Sequence, residues 1–253
     1  MEERINAEAL QLIKIFKERR GQPFEPKECI TTAVSNVMSN IIFGHGLDQD
    51  MDLKKASVEM VDNLIEGGFT LVALDVLPAM RFLAFFSKLI DEGDRVSKNF
   101  FDQVDKKIQE CISTPTLDNF VLSFIQREGE GFDREQLHHS VRDLILGGTE
   151  TSTTTIRWTF VLLANHPDVQ RRLQEEIDSV VPRDRLPSLD DKQKLPYVEA
   201  AILKIMRFKT LVPMGVPHAT LCDTEVGGCF IPSGSLVSTH FVTNCAEETA
   251  DVS

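Results

Sequence analysis

From Asp133 to Pro167 apolar residues keep helical spacing without an intervening proline, and this stretch constrains the fold more than any other. About 33 residues at 1.5 Å per residue give a rod of roughly 50 Å, long enough to cross a whole domain. Asp133, followed three residues on by Gln136, resembles a capping box at its start. Yet the centre, "LILGGTETSTTTIRW" at 144–158, holds the weakest helix formers: Gly147, Gly148 and five threonines. Each mid-helix glycine costs about 1 kcal/mol against alanine and the β-branched threonines lose side-chain freedom, so roughly 3 kcal/mol of local propensity is given up. Two explanations stay open. The glycines let another backbone approach while threonine hydroxyls bond back to the preceding turn, or a flat ligand lies against the glycines while Glu150 and Thr151 present an acid and an alcohol to it. Local rules fail most often at functional sites.

The remaining periodicity predicts helices near 3–20, 27–43, 51–69, 79–88, 92–111 and 117–127, with breaks at "GQPFEP", "FGHGLDQD", Pro78, "STPT" and "GEG". After the long helix, "VQRRLQEEIDSVV" (169–181) and "KLPYVEAAILKIMRF" (194–208) read as two more, joined by a "PRDRLPSLDD" loop. Beyond them "HATLCDTEVGGCFIPSGSLVSTHFV" alternates short β-prone runs with Gly-Gly and Pro-Ser-Gly turns, the texture of small strands and hairpins. The expected fold is mainly α with a minor β-sheet near the C-terminus.

Charge and cysteine usage narrow the function classes. The 253 residues carry 27 basic against 39 acidic side chains, a net of -12, which argues against binding a nucleic-acid backbone and supplies no polybasic patch for anionic lipid. Five cysteines without a CxxC pair support neither a disulfide framework nor a zinc cluster, and a reducing compartment fits better. The most apolar region, 67–86, is interrupted by Asp75, Pro78 and Arg81, short of the ~18 uninterrupted apolar residues of a spanning helix. No transmembrane segment is expected within these residues.

The segment "LGGTETS" resembles the [Ala/Gly]-Gly-x-[Asp/Glu]-Thr-[Thr/Ser] motif in the long central helix of cytochrome P-450 haem-thiolate monooxygenases. It does not stand alone. "EERINAEALQLIKIFKERRGQPFEP", "NVMSNIIFGHGLD", "LANHPDVQRRLQEEID", "LPYVEAAILKIMRF" and "VPMGVPHATLCDTEVGGCFIPSGSLV" follow in the order of microsomal members, especially the family 2 type. The resemblance implies a partial cytochrome P-450 fold over 1–237, a divergent tail over 238–253, and haem as cofactor. It implies that Gly147 and Gly148 leave room for the haem face and bound oxygen, that Thr151 hydrogen-bonds the iron-bound oxygen, and that Glu150 relays protons to it. Leu146, Val212 and Val216 match substrate-lining positions, and His218 matches a residue that hydrogen-bonds a haem propionate. Read on its own, without that resemblance, His218 is a loop histidine satisfied by backbone. The implied partners are an NADPH-dependent reductase and an apolar small-molecule substrate, at the cytosolic face of the endoplasmic reticulum. Residues 64–86, with Phe82, Phe85 and Phe86, are either the roof of the substrate chamber or ordinary core.

Two departures qualify that expectation. Where the family carries Glu-x-x-Arg this chain has Lys204 and Arg207, two cations three residues apart that repel on a helix; burial would cost about 3 kcal/mol or more, so either Lys204 swings outward or the region loosens. The family's cysteine loop, which supplies the iron's axial thiolate, has no counterpart here, and Cys245 lacks its glycines and arginine. The family's N-terminal anchor is likewise unmatched. The expectation is therefore a fragment, inactive by itself. The alternative is a non-catalytic remnant or splice product acting at most as a lipid- or partner-binding helical protein.

Overall fold

The computed structural model describes residues 1–46, 51–76, 79, 84–113, 119–128, 133–213 and 215–238, without the side chains of 51, 64–66, 68–76, 84 and 85. They form α1 (Glu2–Glu18), α2 (Lys27–Phe43), α3 (Met51–Val76), α4 (Ala84–Ser113), α5 (Phe120–Glu128), α6 (Arg134–Asn165), α7 (Pro167–Val180), a 3-10 turn (Leu189–Lys194) and α8 (Pro196–Phe208). Four short strands follow: β1 (His218–Ala219), β2 (Thr224–Val226), β3 (Cys229–Ile231) and β4 (Leu236–Val237). The mainly helical expectation holds. The chain divides into two compact units, Met1–Thr153 and Thr154–Ser253.

Helix boundaries follow local chemistry. Asp133 caps α6: its Oδ1 accepts from the backbone N–H of Glu135 at 2.9 Å and of Gln136 at 3.3 Å, satisfying donors that the first turn leaves open. Gly44, at φ 87, ends α2 in the left-handed conformation that costs glycine nothing. Pro167 and Pro196 open α7 and α8, where a missing N–H is harmless. Two boundaries differ from expectation. The helices predicted at 79–88 and 92–111 are one 30-residue helix from 84 to 113; Gly93 does not break it, and a Cβ there would meet Asn63 Oδ1 of α3 at an ordinary 3.6 Å. Helix α3 runs to Val76 rather than stopping near 69, since a glycine pair weakens a helix without forbidding it.

In the first unit the core joins five helices: Ile42 and Phe43 from α2, Leu53 and Ala56 from α3, Phe100, Val104, Ile108 and Cys111 from α4, Val121 from α5, and Leu137, Val141 and Ile145 from α6. The α4 and α6 contributors recur every three or four residues, so each helix buries one stripe. Asn119, itself buried, ties two elements: its Nδ2 donates to the Phe43 carbonyl at 3.2 Å and its Oδ1 accepts from Leu122 N at 2.9 Å, capping α5.

The second unit is held by polar staples. The Glu176 carboxylate on α7 accepts from the backbone N–H groups of Tyr197 (3.0 Å) and Val198 (2.9 Å) at the start of α8, and Arg172 stacks over the Tyr197 ring. Between α7 and α8 the segment expected as a loop contains the 3-10 turn, closed by a reciprocal Ser188–Asp191 capping box. Asp191, 2% exposed, also takes a two-pronged ion pair from Arg185, both contacts at 2.7 Å. Lys209 sits over the lone Trp158 ring at 4.4 Å. The expected small strands are two antiparallel ribbons, β1 with β4 and β2 with β3; Val226 pairs with Cys229 across the Gly227–Gly228 turn, both glycines having positive φ.

Candidate functional site

Helix α6 presents three different faces to its surroundings. Leu137, Val141 and Ile145 continue into Thr149 and Thr153 as one buried stripe, so the core face changes from hydrocarbon to hydroxyl halfway along. Gly147 and Thr151, one turn apart, are exposed and share a second face. A Cβ at Gly147 would find nothing within 4 Å. The Thr151 hydroxyl donates to the Gly147 carbonyl at 2.5 Å, and Thr159 bonds back to Thr155 in the same way. Gly148 faces elsewhere: a Cβ there would lie 2.5 Å from Met38 Cε and 2.7 Å from its Sδ, against α2.

The packing explanation of the weak helix centre applies to Gly148. Gly148 accommodates close packing of α2 through Met38, whereas Gly147 keeps a face open. Leu146 is half-buried, as is Glu150, which lines a cavity of about 80 Å³ between α2, α3 and α6. Sequence reasoning missed the cavity partners Lys27, Ser57 and Asp62 and the Met38 contact. The available signal was the appearance of hydroxyls at core-spaced positions of α6.

The other predicted site residues belong to the second unit. Lys204 and Arg207 are both exposed on α8, so Lys204 does turn outward and water screens the repulsion between them. Val212 and Val216 are 47% and 67% exposed, and His218 is exposed in β1. Phe82 and Cys245 lie outside the described residues, as does the Phe85 side chain.

Gly147 leaves a bare patch of helix surface beside the Thr151 hydroxyl, the kind of room that a planar ring such as haem would need. Cys111 is buried, with its Sγ directed at the Phe43 carbonyl, and burial pushes its thiol pKa up. Cys29 donates to the Pro26 carbonyl; Cys222 and Cys229 are exposed. Among the described residues no cluster of three or more His, Cys, Asp or Glu could hold a metal ion, and no helix is long and apolar enough to cross a membrane.

The long helix α6 carries both glycines and the threonine run, with Gly147 and Thr151 exposed on one of its faces. Residues 1–244 match the family described as Cytochrome P450, and the chain belongs to that family. It is 31% identical to Cytochrome P450 2D15 of Canis lupus familiaris, over 98% of this chain and 52% of that protein. Vitamin D(3) 25-hydroxylase of Sus scrofa is also 31% identical over 98% of this chain and 52% of its own length. Cytochrome P450 2J2 of Homo sapiens is 29% identical, covering 95% and 50%. The chain thus spans about half the length of the curated relatives it matches.

Proposed function

We propose that these residues serve a haem-thiolate monooxygenase that places one atom of O2 in an apolar lipid or xenobiotic and releases the other as water, drawing electrons from an NADPH-dependent reductase at the cytosolic face of the endoplasmic reticulum. Family membership supports the reaction class, and the relatives' names support the family 2 type. The observation that carries the residue assignment is the open turn Gly147–Thr151 in the middle of a 32-residue helix. Bound haem supplies the redox chemistry that activates oxygen. This chain's own side chains position and feed it.

Gly147 keeps the helix surface flat so that a ring can approach. Thr151 donates to the Gly147 carbonyl; rotating its O–H lets it donate to a bound group instead. Glu150, one residue before it, supplies the protons that such a hydroxyl passes on. Leu146 of the first unit offers apolar surface to a substrate, as do Val212 and Val216 of the second, and His218 offers a ring N–H to a propionate. Gly148 acts through α2 packing, by admitting Met38.

The test is Thr151→Ala in the haem-loaded oxygenase whose reading frame contains these residues. Product formed per NADPH should fall about tenfold or more, with the missing reducing equivalents recovered as peroxide. Unchanged coupling would remove Thr151 from the mechanism. The 253-residue polypeptide alone is proposed to be inactive, because Lys204 stands where the family carries glutamate and none of these residues resembles the family's cysteine loop. Given haem and reduced under carbon monoxide, it should lack a thiolate-type Soret band; the band's appearance would refute that.

A further inference from the structure

The segment that joins α7 to α8 carries a pattern unrelated to haem. It reads "RDRLPSL" over 183–189, with arginines five and three residues before a serine and a leucine directly after it. Protein kinases that select basic substrates read this charge spacing, because two guanidinium groups at fixed offsets from a hydroxyl pair with carboxylates of the kinase groove. The pattern lies where another protein can reach it. Residues 182–187 are exposed and outside any helix or strand, Arg183 is 87% exposed, and Leu189 is 74% exposed. Ser188 has an extended backbone, φ -126 and ψ 164, the shape in which extended peptides are recognised.

The same serine is one part of a polar latch. Its backbone N–H donates to Asp191 Oδ2 at 2.9 Å, and its hydroxyl donates to the same oxygen at 3.2 Å. Arg185 Nη1 and Nη2 hold the two carboxylate oxygens at 2.7 Å each. Asp191 is buried, so the turn over 189–194 closes on a carboxylate that these donors keep satisfied. A kinase that reads Arg185 therefore engages the segment with this ion pair open.

We propose that Ser188 is a phosphorylation site for a kinase that selects Arg-x-Arg-x-x-Ser, and that a phosphate there keeps the Arg185–Asp191 latch open. The Ser188 Oγ attacks the γ-phosphorus of ATP, the bond from that phosphorus to the ADP oxygen breaks, ADP leaves, and the hydroxyl proton passes to the kinase's base. The new group carries a charge of about -1.5 to -2 at pH 7 and stands beside Asp191, where the hydroxyl had donated. A donor is replaced by acceptors, and the like charges repel. Arg185 pairs with the phosphate, and Asp191 loses its two-pronged partner. The turn leads through Leu195 directly into α8, so its opening reaches the first turn of that helix. None of this depends on the reaction proposed above.

The test uses the 253-residue chain with ATP, magnesium and a purified kinase of that specificity, read by tandem mass spectrometry and amide hydrogen exchange. One phosphoryl group should appear on Ser188. Arg183→Ala, which spares the latch because Arg183 pairs with Asp178, should slow its addition about tenfold, and Asp191→Asn should speed it about tenfold, each the worth of one charge-assisted hydrogen bond. In the phosphorylated chain the amides of 185–195 should exchange severalfold faster, and a phosphatase should restore the original rates. An unaltered chain that takes no phosphate on Ser188 overturns the site, even where Asp191→Asn accepts one. Equal rates for Arg183→Ala and the unaltered chain overturn the reading of the arginine spacing. Phosphate on Ser188 with unchanged exchange over 185–195 overturns the latch.

Discussion

Gly147→Ala and Gly148→Ala differ by one position in sequence, yet the structure gives them opposite signs. Both gain the same helix-propensity term, about 1 kcal/mol in favour of alanine. At Gly147 the added Cβ meets nothing within 4 Å, so the full gain of roughly 0.5–1 kcal/mol should appear as stability. At Gly148 the Cβ lands 2.5, 2.7 and 3.2 Å from Met38 Cε, Sδ and Cγ, where carbon contacts are most favourable near 3.5–4.0 Å. Met38 must move by about 1 Å; its three rotatable bonds make that feasible, and overpacking typically costs about 1–3 kcal/mol. Gly148→Ala should therefore run from neutral to about 2 kcal/mol destabilising, and the two variants should differ by about 1–3 kcal/mol. Urea unfolding followed by far-UV circular dichroism measures both. Adding Met38→Ala to Gly148→Ala should relieve the clash and show coupling of about 1 kcal/mol in a double-mutant cycle. Equal stabilities within about 0.5 kcal/mol, the usual scatter of independent sites, would refute the division of α6 into an open and a packed face. Gly147→Ala should also depress oxygenase turnover while it stabilises the fold, because the methyl group stands where the ring is proposed to lie.

Asn119→Ala should destabilise the first unit by about 2–3 kcal/mol, since it removes the α5 cap and a buried donor to the Phe43 carbonyl together; chemical denaturation reads this. Glu176→Ala should cost about 1–2 kcal/mol and fray the start of α8, seen as faster amide exchange at Tyr197 and Val198. The Arg185 guanidinium, then the Ser188 N–H, hold the Asp191 carboxyl well below the usual carboxylate range. A depressed folded pKa contributes stability that is present above the unfolded value near 4 and is lost as pH falls through the folded value. Asp191→Asn should therefore loosen 185–195 at pH 6, and exchange rates in the two proteins should converge as pH drops well below 4.

The long helix and its cap were legible because their signals are local: Asp133 lies within three residues of the donors it satisfies, and the apolar stripe of α6 repeats every three or four positions. The run from 84 to 113 was harder. Gly93 reads as punctuation in isolation, but packing of α4 through Phe100, Val104 and Ile108 outweighs one glycine's propensity penalty. Lys204 was a real departure in the motif, and whether it strained the fold depended on exposure, a quantity no short motif contains.

The sequence by itself determined that the chain is a mainly helical member of the cytochrome P450 family, with a central helix weakened at Gly147 and Gly148. Periodicity and capping act between residues a few positions apart, and chain order preserves them. Only the tertiary structure decided that Gly148 meets Met38 while Gly147 stays open, and that Ser57 reaches the same cavity as Thr149. Those outcomes depend on which distant helix covers which face of α6, and van der Waals contact and hydrogen-bond satisfaction are settled only when the helices are in place.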